Sequence, residues 1–355
     1  MEKTGWIVSI GRLLFLALLT LHLSADSNTT DENATFIDEY HDSFSDQVVK
    51  WSDKIDQTLV NLLGEEVNAT KRSDETPLEK ERESSDRFFQ TQKYLNETSQ
   101  TYIRLRVDTS VRSLESDETN FHVRVHLPLS RTKKRLRLFI EDLNEDNAEN
   151  LVKKSSDDPE KEEVSPKIGI NYFAPRAFGI HSKYSLGLSG LHPYVRARYS
   201  MVFEPGNWVV EPVQTFQYSE KYDLSERTNL YLDTEPWENT LFRIQLSRGT
   251  RAHRKGMYYG LGFTYNWGMT RHSGMRIVQT FAGNTKYEYT PEESTKTETF
   301  PGIYNYTTAF GYRRSVWRKW LYVEMIPAVN FHRQYDYRPN YSFRIFFDLF
   351  FGNYH

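Results

Sequence analysis

From Thr101 onward the hydrophobic residues of this chain recur at every second position, and that period decides what the chain can become. The clearest run is the last, where Tyr341, Phe343, Ile345, Phe347, Leu349 and Phe351 alternate with Ser342, Arg344 and Asp348. Alternation of this kind places all the apolar side chains on one face of a β-strand and the polar ones on the other. The same pattern fills Ile103/Leu105/Val107, Phe121/Val123/Val125/Leu127, Leu136/Leu138/Ile140, Phe242/Ile244/Leu246, Leu261/Phe263/Tyr265/Trp267 and Leu321/Val323/Met325. Each predicted strand therefore has one greasy face and one that carries arginine, acid or histidine.

A maximal count gives fourteen strands, near 101–114, 120–130, 134–142, 166–174, 180–189, 193–203, 207–218, 225–234, 240–248, 256–268, 273–285, 301–313, 317–332 and 339–351. Dropping the pair around Pro175 gives twelve and keeps the parity. Connections after even strands are short, whereas both long ones, 143–165 and 286–300, follow odd strands. Alternation of short and long connections is what a strand bundle crossing a bilayer produces. Trp208, Trp237, Trp267, Trp317 and Trp320 all fall beside or within the short-turn family, as expected of rings with a polar edge held at the level of lipid headgroups.

The N-terminal portion reads differently. Lys3 and Arg12, the apolar run Leu13–Leu23 and then Ser24-Ala25 read as a secretory signal over residues 1–25, because the run is shorter than the ~20 residues a membrane helix needs. Residues 26–100 form a polar segment. Within it Phe36, Tyr40, Phe44, Val48, Trp51, Ile55, Leu59 and Leu62 recur at three- and four-residue spacing and predict one amphipathic helix over 36–63. Such a helix can pack on the mouth of a strand bundle, pair with another copy or lie on lipid. Residues 65–99 read as a charged linker, and 101–355 as the β domain. The sequence has no cysteine, so an exported chain of this kind has no disulfide framework and relies on burial and backbone pairing.

The terminal strand, the signal, the alternation and the loop asymmetry together resemble the outer-membrane β-barrel superfamily. The segments RRSVWRKWLYVE (313–324) and NFHRQYDYRPNY (330–341) are similar to an uncharacterised, porin-like barrel family of Gram-negative bacteria. The resemblance implies an all-β fold, a closed antiparallel transmembrane barrel of 12–14 strands preceded by the amphipathic helix. It also implies contact with outer-membrane lipid, and a last strand read by the barrel-assembly machinery. That strand commonly ends on an aromatic residue; here Gly352-Asn353-Tyr354-His355 follow Phe351, and Tyr354 takes that place only if Gly352 makes a bulge.

The face opposite the apolar one holds Arg104, Arg106, Arg112, Arg124, Arg135, Arg137, Arg196, Arg198, Arg243 and Arg344 against Asp108, Glu141, Glu211, Asp233, Glu324 and Asp348. Arginines around a wet lumen attract anions. The competing reading is a ladder of cross-barrel ion pairs filling a closed interior, since a buried charge requires a partner. Enzyme signals are thin: His181-Ser182 and His272-Ser273 are adjacent on the chain and so point to opposite faces of a strand. His122 and His126 share a face but have no third ligand at metal spacing. Acids two residues before Asn-x-Thr at Asn28, Asn33 and Asn68 resemble the extended acceptor of bacterial oligosaccharyltransferases, so glycosylation is expected there.

The sequence thus predicts a porin-like passive channel for small, preferentially anionic solutes in the outer membrane, with its N-terminal segment periplasmic. No cofactor, metal or nucleic acid is expected, and a homo-oligomer is compatible. The alternatives are a non-conducting structural or surface-interaction barrel, and a lipid-modifying enzyme.

Overall fold

A computed structural model describes residues 36–63, 77–89, 91, 100–129, 136–141, 167–220, 223–252, 255–289 and 296–352. The chain divides into two compact units, Met1–Ser43 and Phe44–His355. Of the first, residues 36–43 are described, and they are helical. Helix α1 (Phe36–Leu63) matches its expected span, and a second helix, α2 (Pro77–Phe88), follows. The strands are β1 (Tyr102–Arg112), β2 (Glu118–Leu129), β3 (Leu136–Glu141), β4 (Lys167–Phe173), β5 (His181–Ser189), β6 (His192–Ser200) and β7 (Trp208–Ser219). They continue with β8 (Asp223–Thr234), β9 (Thr240–Arg251), β10 (Tyr258–Thr270), β11 (Ser273–Tyr289), β12 (Glu298–Ser315), β13 (Leu321–His332) and β14 (Pro339–Gly352).

Each strand pairs antiparallel with its sequence neighbours, and β14 returns to β1 to close a fourteen-stranded barrel. Closure removes both sheet edges, so every strand finds backbone partners on two sides. All fourteen expected strands are present, including the pair around Pro175. There β4 and β5 are joined by a tight turn in which Ala177 and Ile180 form a bridge and Phe178 and Gly179 take φ of 52° and 78°. β11 and β12 extend four and three residues further toward their shared loop than the alternation predicted.

Side chains obey the alternation. On β1, Tyr102, Arg104, Arg106, Asp108 and Ser110 are buried in the interior, while Val107 is exposed on the wall. Phe121, Ile168, Leu186, Leu246, Ile277 and Phe347 are likewise exposed. The molecule is charged inside and apolar outside, the inverse of a water-soluble domain. The rim where β1 starts and β14 ends, called proximal below, carries exposed Trp208, Trp237, Trp267 and Trp317. Trp320 departs from this girdle: it is partly buried and packs with Tyr102, Phe350 and Tyr322.

The last strand closes without the bulge that a terminal Tyr354 requires. Tyr102 lies opposite Gly352 in unbroken register. Gly352 has φ of 96°, and a Cβ there would lie 2.6 Å from the Thr101 carbonyl oxygen, so the chain crosses its own start at a position only glycine fits.

Candidate functional site

The interior of the barrel near the proximal rim is the most chemically organised part of the molecule. A wall of fourteen strands encloses more space than its own side chains fill; eight strands is about the width that side chains can occupy. Here the segment read as a charged linker supplies the filling. That expectation is corrected: residues 77–88 form a helix, opened by Pro77, whose fixed φ suits a first helical turn. Arg82, Asp86 and Phe89 follow one another at spacings of four and three and share a face, and that face meets the wall.

Asp86 and Asp233 both hold Arg243. Arg243 Nη1 and Nη2 donate to Asp86 Oδ1 and Oδ2 at 2.9 and 2.8 Å, while Nε and Nη2 donate to Asp233 at 2.8 and 2.9 Å. Arg82 Nη1 lies 3.5 Å from Glu211 and 3.8 Å from Asp233. One turn on, Arg276 donates to the Phe89 carbonyl at 3.0 Å, with its guanidinium 4.6 Å above the Phe89 ring. Gly274 makes room: a Cβ there would stand 2.8 Å from Phe88 and 2.9 Å from Phe89.

Beside this clamp runs a continuous ionic layer. Arg106 binds Asp348 through two bonds of 2.5 and 2.8 Å, and Arg313 reaches both Asp348 (2.6 Å) and Glu324 (3.1 Å). Arg276 completes it with Glu324 at 3.2 Å. Arg106 and Arg313 have no accessible surface. Two residues further along the strands, Val278, Ala309, Ile326 and Phe346 form an apolar layer. It shields the ion pairs from water on that side, which strengthens them and raises the cost of breaking one.

The opposite sector, β1–β6, is basic. Arg104 stands opposite Arg124 in the β1–β2 register and Lys183 opposite Arg198 in the β5–β6 register. Arg137 and Lys183 both lie over the Phe173 ring, at 3.8 and 5.7 Å, and Arg196 over Tyr194 at 5.4 Å, with Nε donating to Gln217 at 2.9 Å. Among the described side chains of this sector Asp108 is the inward carboxylate, bonded to His122 Nε2 at 2.6 Å. Like charges directly opposite repel, so this wall favours negative charge near it.

Several expectations take a different form. The ion-pair reading describes Arg106, Arg243, Asp233, Glu211, Glu324 and Asp348, which face inward but do not line an open passage. Arg112 is committed to its own turn, with Glu115 at 2.7 Å and Glu118 at 2.8 Å. Arg344 is half-buried, opposite Ser110 and Ile326. Arg135, the side chain of Glu141, and Asn28, Asn33 and Asn68 lie outside the described residues. The residues that sequence reasoning missed are Arg82, Asp86, Arg276, Arg313, Lys167 and Lys183. β11 hid Arg276 because its inward face continues with Val278 and Ala282, while outward Gln279 bonds Thr308 at 2.6 Å. A rule equating polar with inward fails on that strand.

His272 does meet a serine, but it is Ser315, at 3.2 Å, whereas Ser273 bonds Thr270 at 2.8 Å. At the distal rim the 3-10 turn Arg333–Tyr335 caps an aromatic cluster in which the Tyr287 and Tyr304 rings stack at 4.2 Å. Arg333 donates to the Tyr289 hydroxyl at 3.1 Å, and that bond raises its pKa. Tyr337 donates to the Ile303 carbonyl at 2.8 Å, and burial, then Tyr306, pushes its phenol upward.

No family model and no curated protein matches the sequence. Solved structures similar in fold include the NanC porin, at 10% identity and a TM-score of 0.36 over 69% of this chain and 98% of that one. OmpT of Vibrio cholerae has 7% identity and a TM-score of 0.44 over 70% of this chain and 96% of that one. OccK11 (OpdR) of Pseudomonas aeruginosa has 8% identity and a TM-score of 0.38 over 71% of this chain and 95% of that one. At such identities the likeness concerns barrel architecture alone.

Proposed function

We propose that the protein is an integral outer-membrane barrel of a Gram-negative bacterium, and that it is a porin-like channel for small anions shut from the periplasmic side by its own α2. The proximal rim is periplasmic in this reading, the signal is removed on export, and the last strand is the one the assembly machinery engages. The observation that carries the proposal is the way α2 is held. Arg243 and Asp86, with Arg82, Arg276 and the Phe89 carbonyl, make polar, directional contacts to a helix inside a barrel too wide for its wall to fill. Withdrawing the helix leaves an aqueous lumen, with the basic sector of Arg104, Arg124, Arg137, Arg196, Arg198 and Lys183 to select anions.

Single-channel recording of refolded protein tests this. The full chain is expected to be mostly silent, and deletion of residues 77–91 to yield a steady, anion-selective conductance. In that deletion background, Arg104→Glu with Arg124→Glu and Lys183→Glu shifts selectivity toward cations. A second reading, a permanently closed structural barrel, is favoured by the complete burial of Arg106 and Arg313. It predicts no conductance after deletion, and that result overturns the channel.

A further inference from the structure

Helix α1 turns the wrong face outward for a helix packed against a protein in water. In the unit from Phe44 onward, Val48, Ser52 and Asp56 are buried, so two of the three residues on its covered edge are polar. Phe44 and Trp51 are exposed instead, Trp51 by 51%. Phe36, Ile37 and Tyr40 recur at the spacing that continues this stripe toward the N terminus, and all three are exposed. Asp46, Lys50 and Asp53 are exposed as well, and the helical spacing puts them on a third face. The helix thus has a covered edge, an apolar stripe and a charged stripe, an arrangement that suits three environments at once: protein, lipid and water.

The apolar stripe is continuous with the barrel wall. The Phe44 ring meets the Phe351 ring edge-on at 4.8 Å. Phe351 is on the outward face of β14, since Phe350 and Asp348 point in, and lies at the proximal end of the apolar belt.

We propose that α1 lies in the plane of the bilayer at the proximal leaflet, with Tyr40, Phe44 and Trp51 in lipid, forming an interfacial collar where β14 meets β1. The proposal rests on the membrane reading above. An interfacial helix of this kind sinks its apolar face about 5–10 Å into the headgroup and acyl boundary. The charge of α1 identifies the lipid class: residues 36–63 hold six acids, Asp38, Glu39, Asp42, Asp46, Asp53 and Asp56, against Lys50 and Lys54. Anionic lipid repels such a helix, so its occupant is a zwitterionic leaflet. A second copy of α1 pairing along the same stripe is the competing occupant.

The sequence contains no cysteine, so single labels are clean. Trp51→Cys, Tyr40→Cys and Asp46→Cys, each carrying an environment-sensitive fluorophore, are to be refolded as full chains into phosphatidylcholine bilayers. Labels at 51 and 40 are expected to lose emission to nitroxide lipids and to resist an aqueous quencher, the label at 46 the reverse. Replacing a third of the lipid by phosphatidylglycerol at low salt weakens the lipid quenching at 51. Equal aqueous access at 51 and 46, or protection at 51 that disappears on diluting the protein in lipid, overturns the proposal, the second outcome in favour of a paired copy. A label at Phe347→Cys on the barrel wall separates the two failures. If 347 meets lipid and 51 does not, the collar alone is wrong; if 347 also fails to meet lipid, the membrane reading is wrong.

Discussion

Asp86 on an internal helix and Arg243 on the barrel wall face each other through two parallel hydrogen bonds of 2.9 and 2.8 Å, in a site almost without solvent access. Residues 157 positions apart are joined here, and the pair makes the plug an integral part of the interior. The same guanidinium is shared with Asp233, so the wall keeps a balanced pair when the helix lets go.

This sharing sets an order of severity. Asp86→Ala removes two charge-assisted bonds, each worth about 1.5–3 kcal/mol, but leaves Arg243 paired with Asp233. Arg243→Ala strands Asp86 and Asp233 together, a loss of about 3–5 kcal/mol for a broken buried pair. Limited proteolysis between residues 77 and 91 is expected to be fastest in Arg243→Ala, intermediate in Asp86→Ala and slowest in the parent. Equal rates in all three would show that these contacts do not hold α2.

The seam is fastened by Asp348, which accepts from Arg106 across β1 and from Arg313 two strands away. Asp348→Asn leaves both cations buried without that charge, and about 3–5 kcal/mol is lost. Arg112→Ala, at the partly exposed rim, costs no more than about 1 kcal/mol. The temperature at which the folded band converts on a detergent gel reads both, and it should fall steeply for the first and barely for the second.

The outer wall distinguishes lipid from water. Ile277 is 49% exposed, and in an aqueous protein Ile277→Arg would be close to neutral. In a bilayer an arginine on the lipid face costs up to about 2–4 kcal/mol at mid-depth. Urea midpoints of refolded protein in lipid vesicles should therefore drop for Ile277→Arg, and an unchanged midpoint argues against lipid contact at that strand.

Tyr337 gives the distal turn a dependence on alkaline pH. Burial raises its phenol above the ordinary 10.0, Tyr306 adds to this, and Arg333 acts in the opposite sense. Because the folded value exceeds the unfolded one, the turn keeps its full stability below pH 10 and loses it as pH rises through the folded value. The tyrosinate absorbance of the parent minus that of Tyr337→Phe is expected to show one group ionising above pH 10; a difference at or below it refutes the burial argument.

Alternation is a property of neighbouring residues, so it could be read along the chain. Strand number, closure and the inward placement of Arg104, Arg106, Arg124, Arg137 and Arg243 were legible because a β-strand cannot bend side chains out of a two-residue period. α1 was legible for the same reason at its own period. The tertiary structure alone decided which charges meet. Arg106 finds Asp348 across 242 residues through the closing register of β1 and β14, and no local pattern encodes a register between chain ends. It also decided where residues 77–88 go, because a short helix of mixed charge reads as linker in water and becomes a plug only where a wide barrel presents Arg243, Arg276 and Gly274 to it. Sequence periodicity sets the face of each side chain; the partner on that face depends on the geometry of closure, which belongs to the whole barrel.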